Sequence, residues 1–441
     1  MRVKFLDGVE DRYPINVNEI ESMKLTPSFL ALLISALPLN AFAAAFQLAE
    51  HSATGVGRAF AGEAAIADSA AVVARNPALM SSFKKVQFSV AGTFILPDVS
   101  VTGDSAPPYS NSAALDDNSI APEAFIPALY YVSPINKRVA IGFGVFSNFG
   151  LATEFADDYA AGQLAGTSEI TTINFNTSVS YKINSDWSAA LGLNYIYADA
   201  NVVRHFGDNP LGLPAQTLAA SLEGDDNGYG WNVGFAYEID KGSRLGLYYR
   251  SKTMLNFEGD YTNQLPAAVG GLASAVLPGS LELELPATAE FSGVHLLDDK
   301  WTVNYSIVWT QWSSFQSLEA FVSSVDTPVF SKEENFSNSF RYALGGSYQL
   351  NKNIKLRAGF ACDATPTDSN HLSISIPDSN RKWLSTGASY KVDNTSSVDM
   401  GLTFIKGQER AFNEIDNLGS QWAFRSQGDA LIFSAQYNHT F

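Results

Sequence analysis

Five histidines, one cysteine and a thin scatter of basic residues are the groups from which any chemistry in this 441-residue chain would have to be assembled. His51, His205, His295, His371 and His439 lack the spacing of zinc ligands, and none belongs to an H-E-x-x-H motif. No G-x-S-x-G turn is present to expose a serine nucleophile, and no G-x-x-x-x-G-K-[ST] loop to cradle phosphates. Cys362 has no second cysteine to pair with and reads as a small packing residue. Neither a metal nor a cofactor is expected. The basic residues, among them Arg204 in Ala200-Asn-Val-Val-Arg-His-Phe-Gly-Asp208 and Lys332 in Val329-Phe-Ser-Lys-Glu-Glu-Asn-Phe336, stand in no motif of their own. A guanidinium offers a carboxylate a bidentate fork and an ammonium offers it a point charge. On the residues alone each reads first as a solvated loop or surface charge, and Glu333 and Glu334 stand ready to pair with Lys332.

The elements that would position these groups show in the composition. Aromatic residues make up 12% of the chain (29 Phe, 18 Tyr, 7 Trp), while charged residues reach only 17%, well under the share typical of a soluble domain. Much apolar surface must therefore face something other than water. A net charge of −17 without a basic cluster argues against nucleic acid, whose binding requires clustered Lys and Arg.

Lys24 precedes a short apolar stretch, Leu25 to Leu39, that ends in Ala41-Phe42-Ala43, the small-x-small form of a signal-peptidase site. Residues 23–43 read as a secretory signal peptide, with Ala44 as the first mature residue. Residues 1–22 fit no signal region and read as an upstream extension, with Met23 as the start. No second apolar run of about 18 residues follows, which excludes helical membrane spans in the mature chain.

From residue 86 to the C-terminus, segments of roughly ten residues alternate apolar with small or polar side chains, as strands with two different faces do. Ala189, Leu191, Leu193, Tyr195 and Tyr197 share one face, and Ser188, Ala190, Gly192 and Asn194 the other. Trp301, Val303, Tyr305, Ile307 and Trp309 alternate in the same way with Thr302, Asn304, Ser306 and Thr310. Aromatics cap the ends, as the girdles of an outer-membrane barrel do. Six short polar turns (Pro134 to Arg138, Ile183 to Trp187, Ile239 to Ser243, Leu297 to Trp301, Leu350 to Ile354, Val392 to Ser396) recur about every 40 to 60 residues, room for two strands and one long loop. A soluble β-sandwich also alternates, but it does not explain that spacing. Six short turns joining seven hairpins predict fourteen strands of an antiparallel transmembrane β-barrel. Asp98 to Pro122 and Gly207 to Gly228 read as outer loops, and Leu281 to Leu285, alternating with glutamates, as a strand reaching beyond the membrane.

Residues 44–85, rich in Ala and Gly and without sheet alternation, read as a plug, since a barrel of this width cannot be filled by its own side chains. Here the sequence becomes specific. Phe46-Gln47-Leu48, Gly55-x-Gly57-Arg58-Ala59, Gly62-Glu63, Ala65-Ile66-Ala67-Asp68 and Asn76-Pro77-Ala78 together resemble the hatch of the FadL family. The resemblance continues through Gly150 to Phe155, the Arg204 segment and Ser373 to Asp378, and favours the fatty-acid members over the hydrocarbon transporters.

The resemblance implies a monomeric bacterial outer-membrane protein that takes up long-chain fatty acids by passive, ligand-gated diffusion. It gives Arg204 and Lys332 the ligand head group. It gives Phe46 and the Asn76-Pro77-Ala78 turn a hatch that moves when ligand arrives, and Ser147, Asn148, Phe149 and Gly150 a kinked strand through which ligand leaves sideways. The implied partners are outer-membrane lipids and lipopolysaccharide, and the barrel assembly machinery, which would recognise the terminal Phe441 on its alternating strand. Alternatives are a channel for aromatic hydrocarbons, a non-selective porin and an outer-membrane lipid hydrolase with Ser, His and Asp spread over strands. Ion conductance without fatty-acid binding would mark the porin, and hydrolysis of a chromogenic ester the enzyme.

Overall fold

The computed structural model describes residues 45–441 apart from 267–270, 272–273 and 324. The expected upstream extension and signal peptide lie outside the described residues. No described helix is long and apolar enough to cross a membrane. The described chain is a sheet of twenty strand segments, every named pairing antiparallel. Six pairs of consecutive segments are two parts of one barrel strand, such as Val139–Phe146 with Gly150–Thr153 and Leu277–Leu285 with Thr288–Leu296, which leaves the expected fourteen. The first strand, Gln87–Ser105, pairs with the last, Gln421–Thr440, from Gln87↔Thr440 to Ser105↔Ala423. That pairing closes the sheet into a barrel and removes both free edges.

Alternation decides which side faces out. Leu191, Leu193, Tyr195 and Tyr197 are exposed, whereas Ala190, Asn194 and Ala198 are buried, as the sequence predicts. The outward face is an apolar surface fit for lipid, and it ends near the short turns in aromatic pairs such as Trp187 with Tyr237 and Trp301 with Tyr348, ring centroids 4.6 Å apart in each. The inward face is rich in polar groups: Asn174, Asn176, Asn194 and Asn232 hydrogen-bond one another from neighbouring strands at 2.8 to 3.0 Å.

The six short turns share one device. In each, an Asn or Asp side chain (Asn136, Asn184, Asp240, Asp298, Asn351 or Asp393) accepts a backbone N–H two residues on, fixing a tight connection without help from the rest of the fold. The opposite ends depart from the sequence reading. Asp98 to Ser105 continues the first strand and Leu218 to Gly228 begins another, so the outer loops are shorter than expected. Beyond the bilayer a strand needs only a backbone partner and no apolar face, so its alternation fades while its pairing persists.

The segment from Ala45 to Phe83 lies inside this wall and is held by strands from around the ring. It contains two single-turn helices, Ala53–Val56 and Val72–Arg75, and a 3₁₀ turn, Pro77–Ser82. Ala53 N–H donates to Gln436, Ala70 N–H to Ser89 and Gly62 N–H to Ser306, while Thr403 donates to the Val56 carbonyl. Its charges form a network: Arg58 bridges Glu63, buried like itself, at 2.6 Å and the more exposed Asp68 at 2.7 Å. Pairing offsets the cost of removing them from water.

Candidate functional site

Two cavities meet at Phe46. The smaller, about 90 Å³, holds both sequence-predicted cations, Arg204 and Lys332, in a mixed lining whose apolar part includes Leu151, Ile170, Leu283, Phe315 and Phe330. Arg204 comes from the end of the strand Trp187–His205 and is only 4% exposed. Its Nη1 donates to the carbonyls of Thr167 and Val203 (2.7 and 2.8 Å), and its Nη2 to the hydroxyls of Ser168 and Ser375 (2.8 and 2.9 Å). The group is hydrogen-bonded, but among the described residues no carboxylate forms an ion pair with it. A buried guanidinium satisfied only by neutral acceptors is a site where an incoming carboxylate gains charge-assisted hydrogen bonds.

Lys332 stands differently. Its ammonium is ion-paired with Glu414, which also accepts the Ile374 N–H at 2.8 Å. The two glutamates beside Lys332 in sequence are not its partner. Glu334 is 2% exposed, and desolvation pushes its carboxyl up to about 8, a rise that Lys332 opposes and Glu414 reinforces. Near neutral pH Glu334 therefore adds little negative charge beside the two cations.

Phe46 forms the partition. Its ring meets Trp312 (centroids 4.7 Å apart), Phe315 (5.7 Å) and Phe149 (6.1 Å), all edge-on. On its other side lies a cavity of about 640 Å³, lined in part by Phe146, Ser147, Phe149, Gly150 and Arg341. This cavity also touches Phe125 and Ile173, whose side chains are exposed on the outer surface.

The contact with the outer surface follows from a break in the wall. The strand Val139–Phe146 pairs with Ala124–Pro134 only as far as Leu129↔Val145. Residues 124–128 keep their partner on the other side, up to Ile95↔Ala124, but have no ladder partner on this edge among the described residues. Instead the chain from Ser147 to Gly150 turns inward to the N-terminal segment. Leu48 N–H donates to the Asn148 carbonyl (2.8 Å), Gly150 N–H donates to the Phe46 carbonyl (3.0 Å), and Gln47 bridges Phe149. His51 Nε2 lies 2.9 Å from the Ser147 carbonyl, and Asn148 accepts from Asn174 at 2.9 Å. An extra Cβ at Gly150 would approach the Leu48 side chain to 3.1 Å, tighter than most real contacts, so a small residue suits the position.

Asn76, Pro77 and Ala78 are elsewhere and line neither cavity. Asn76 accepts the Ala78 N–H at 3.1 Å and donates to the carbonyls of Ala64 (2.7 Å) and Phe235 (2.9 Å), tying the segment to the wall. The sequence reading did not single out Trp312, Phe315, Ser168, Ser375, Glu414, His51 or Arg341. Spacing carries no signal for them, because each is the ordinary inward or loop residue of its own segment.

The family described as outer membrane protein transport protein (OMPP1/FadL/TodX) matches residues 34–441. The chain is 38% identical over 452 residues to the long-chain fatty acid transport protein of Escherichia coli K12, an alignment covering 94% of this chain and 98% of that one. Among solved structures it resembles a Pseudomonas aeruginosa FadL homologue (TM-score 0.82, 23% identity, covering 90% of this chain and 100% of the other). It also resembles the Pseudomonas putida toluene transporter TodX (TM-score 0.66, 17% identity, covering 90% and 100%).

Proposed function

Because the chain belongs to this OMPP1/FadL/TodX family of outer-membrane transport proteins, we propose that it carries long-chain fatty acids inward across the outer membrane and releases them sideways into the bilayer. The observation that carries this reading is Arg204: a buried cation that, among the described residues, forms no ion pair with a carboxylate and lines a pocket with both polar and apolar walls. A hydrocarbon ligand would leave its charge unused, whereas a fatty acid supplies the missing anion.

The cavity volumes divide the labour. About 90 Å³ accommodates a head group and not a tail, while about 640 Å³ falls within the range of pockets that enclose whole ligands. Each methylene buried contributes about 0.8 kcal/mol, so the tail supplies most of the affinity and the cation the orientation. The N-terminal segment acts as the hatch. Phe46 separates the cavities and is bonded through its backbone to Gly150, so movement of the N-terminus joins the cavities and alters the wall break together. The exposed Phe441 at the end of the closing strand suits recognition by the barrel assembly machinery.

Uptake of a labelled C16 fatty acid by cells that lack their own transporter tests the reading. Expression of this chain restores uptake of the acid and not of the matching alkane; equal uptake of both would sink it in favour of the hydrocarbon alternative.

Glu334 adds a pH dependence. Below about pH 8 it is neutral, and above that it ionises, bringing a further negative charge to the two cations. Binding of a fatty acid already ionised across the range therefore weakens as pH rises from 7 to 9. Glu334→Gln removes that fall. A wild-type affinity that is flat over the same range counts against Glu334 as its source.

A further inference from the structure

The larger cavity contains a second buried cation that neither the resemblance nor the head-group pocket uses. Arg341, from the strand Ser339–Gln349, is 8% exposed and lines the cavity. Its guanidinium lies over Phe60 (5.3 Å to the ring centre) and Trp383 (5.7 Å), which hold it in place without neutralising it. Its Nε has no hydrogen-bond partner, and among the described residues no carboxylate reaches it within ion-pairing distance. Two other buried polar atoms in the same cavity share that condition: Trp383 Nε1 and Asp363 Oδ1. Asp363 is the cross-strand partner of Arg341 by register, yet the two do not form an ion pair. Arg381, also on the cavity wall, is committed to Asp378 at 2.7 Å, and Glu50 accepts the Ala49 N–H at 2.7 Å.

Two donors and one acceptor without partners among the described residues, carried by three residues that line one mainly apolar cavity, match a carboxyl group. Its two oxygens accept from Arg341 and Trp383, and a single proton shared with Asp363 lets two carboxyls lie side by side, their remaining negative charge balanced by Arg341. We propose that Arg341, Trp383 and Asp363 form a second head-group station, which takes the fatty-acid carboxyl after it leaves Arg204. The two cavities share Phe46, Leu151, Glu169 and Ile170, and the second one touches the wall break at Ser147, Phe149 and Gly150. A head group crossing apolar space unpartnered would carry a large desolvation cost, and a cation beside the exit offsets it. The station holds the head inside while the tail enters the bilayer first.

This inference rests on the fatty-acid reading, and the test separates the two. Purified barrel is titrated with a C16 fatty acid and with the matching alcohol, folding being checked by heat-dependent gel mobility. Wild type shows two classes of acid site. Arg341→Met eliminates one class or weakens it roughly tenfold and narrows the preference for acid over alcohol at that class. Arg204→Ala affects the other class. Trp383→Phe, which removes one donor and keeps the ring, gives a smaller loss at the Arg341 class and covers the case of a poorly folding Arg341 variant. If Arg204→Ala weakens binding while Arg341→Met and Trp383→Phe leave stoichiometry, affinity and acid preference unchanged, the second station is wrong and the transport reading stands. If none of the three changes acid binding, both fall.

Discussion

Arg204→Ala is expected to weaken fatty-acid binding by roughly tenfold or more, with the barrel still folded. Charge-assisted hydrogen bonds contribute on the order of 1.5 to 3 kcal/mol, and each 1.4 kcal/mol is tenfold in affinity. Folding should survive because the four acceptors of Arg204 are two carbonyls and two hydroxyls, neutral groups that water can satisfy. Lys332→Ala should cost less, since its ammonium is already shared with Glu414. Part of that loss comes from leaving Glu414 uncompensated beside the ligand, so adding Glu414→Gln to Lys332→Ala should recover it. Equilibrium titration of the three variants with a fluorescent fatty acid decides the matter. Unchanged affinity in both Arg204→Ala and Lys332→Ala would remove the head-group assignment and favour a hydrocarbon ligand.

The fold was legible in this sequence to an unusual depth because each of its parts is local. Alternation from Trp187 to Tyr197 fixes which face is out, and an Asn or Asp in each short turn closes its own connection, so neither signal depends on residues far along the chain. The site is built the other way. Lys332 meets Glu414 across 82 residues, Gly62 meets Ser306 across 244, and Ser375 reaches Arg204 across 171. Nothing near Lys332 announces Glu414, and its sequence neighbours Glu333 and Glu334 suggest a different pairing. Arg341 illustrates the same limit: on an alternating strand it is one more inward polar residue, and only the pairing of three successive strands sets it near Trp383 and the seating of the N-terminal segment sets it against Phe60. The family resemblance supplied Arg204, Phe46 and the wall break, which periodicity could not have separated from ordinary loop and turn residues.

Closing the wall break is expected to stop uptake while leaving binding largely intact. A fatty acid released straight into the periplasm would return its tail to water, and roughly fifteen methylenes at about 0.8 kcal/mol each come to on the order of 12 kcal/mol. Release into the bilayer avoids that cost, but it requires a gap between strands. The gap here has a definite cause: Ser147 to Gly150 bond to Phe46 and Leu48 rather than to residues 124–128, whose edge has no ladder partner among the described residues. Deleting Asn148 to Gly150 removes the stretch that turns inward, so Ser147 runs on to Leu151 and the strand can follow its neighbour. Arg204, Ser168 and Ser375 make no hydrogen bond to the deleted residues, and purified protein should still bind fatty acid, weakened only by poorer seating of Phe46. Gly150→Pro is the milder companion, removing the single N–H that holds the Phe46 carbonyl. Asn76→Ala approaches the same pathway from the hatch, since it frees the segment from Ala64 and Phe235 without touching either cavity. Uptake into cells, measured at matched surface expression, should fall to background for the deletion and drop in part for the two substitutions. If the deletion variant binds and also transports at the wild-type rate, ligand leaves by another route, and the break in the wall is only the start of an outer loop.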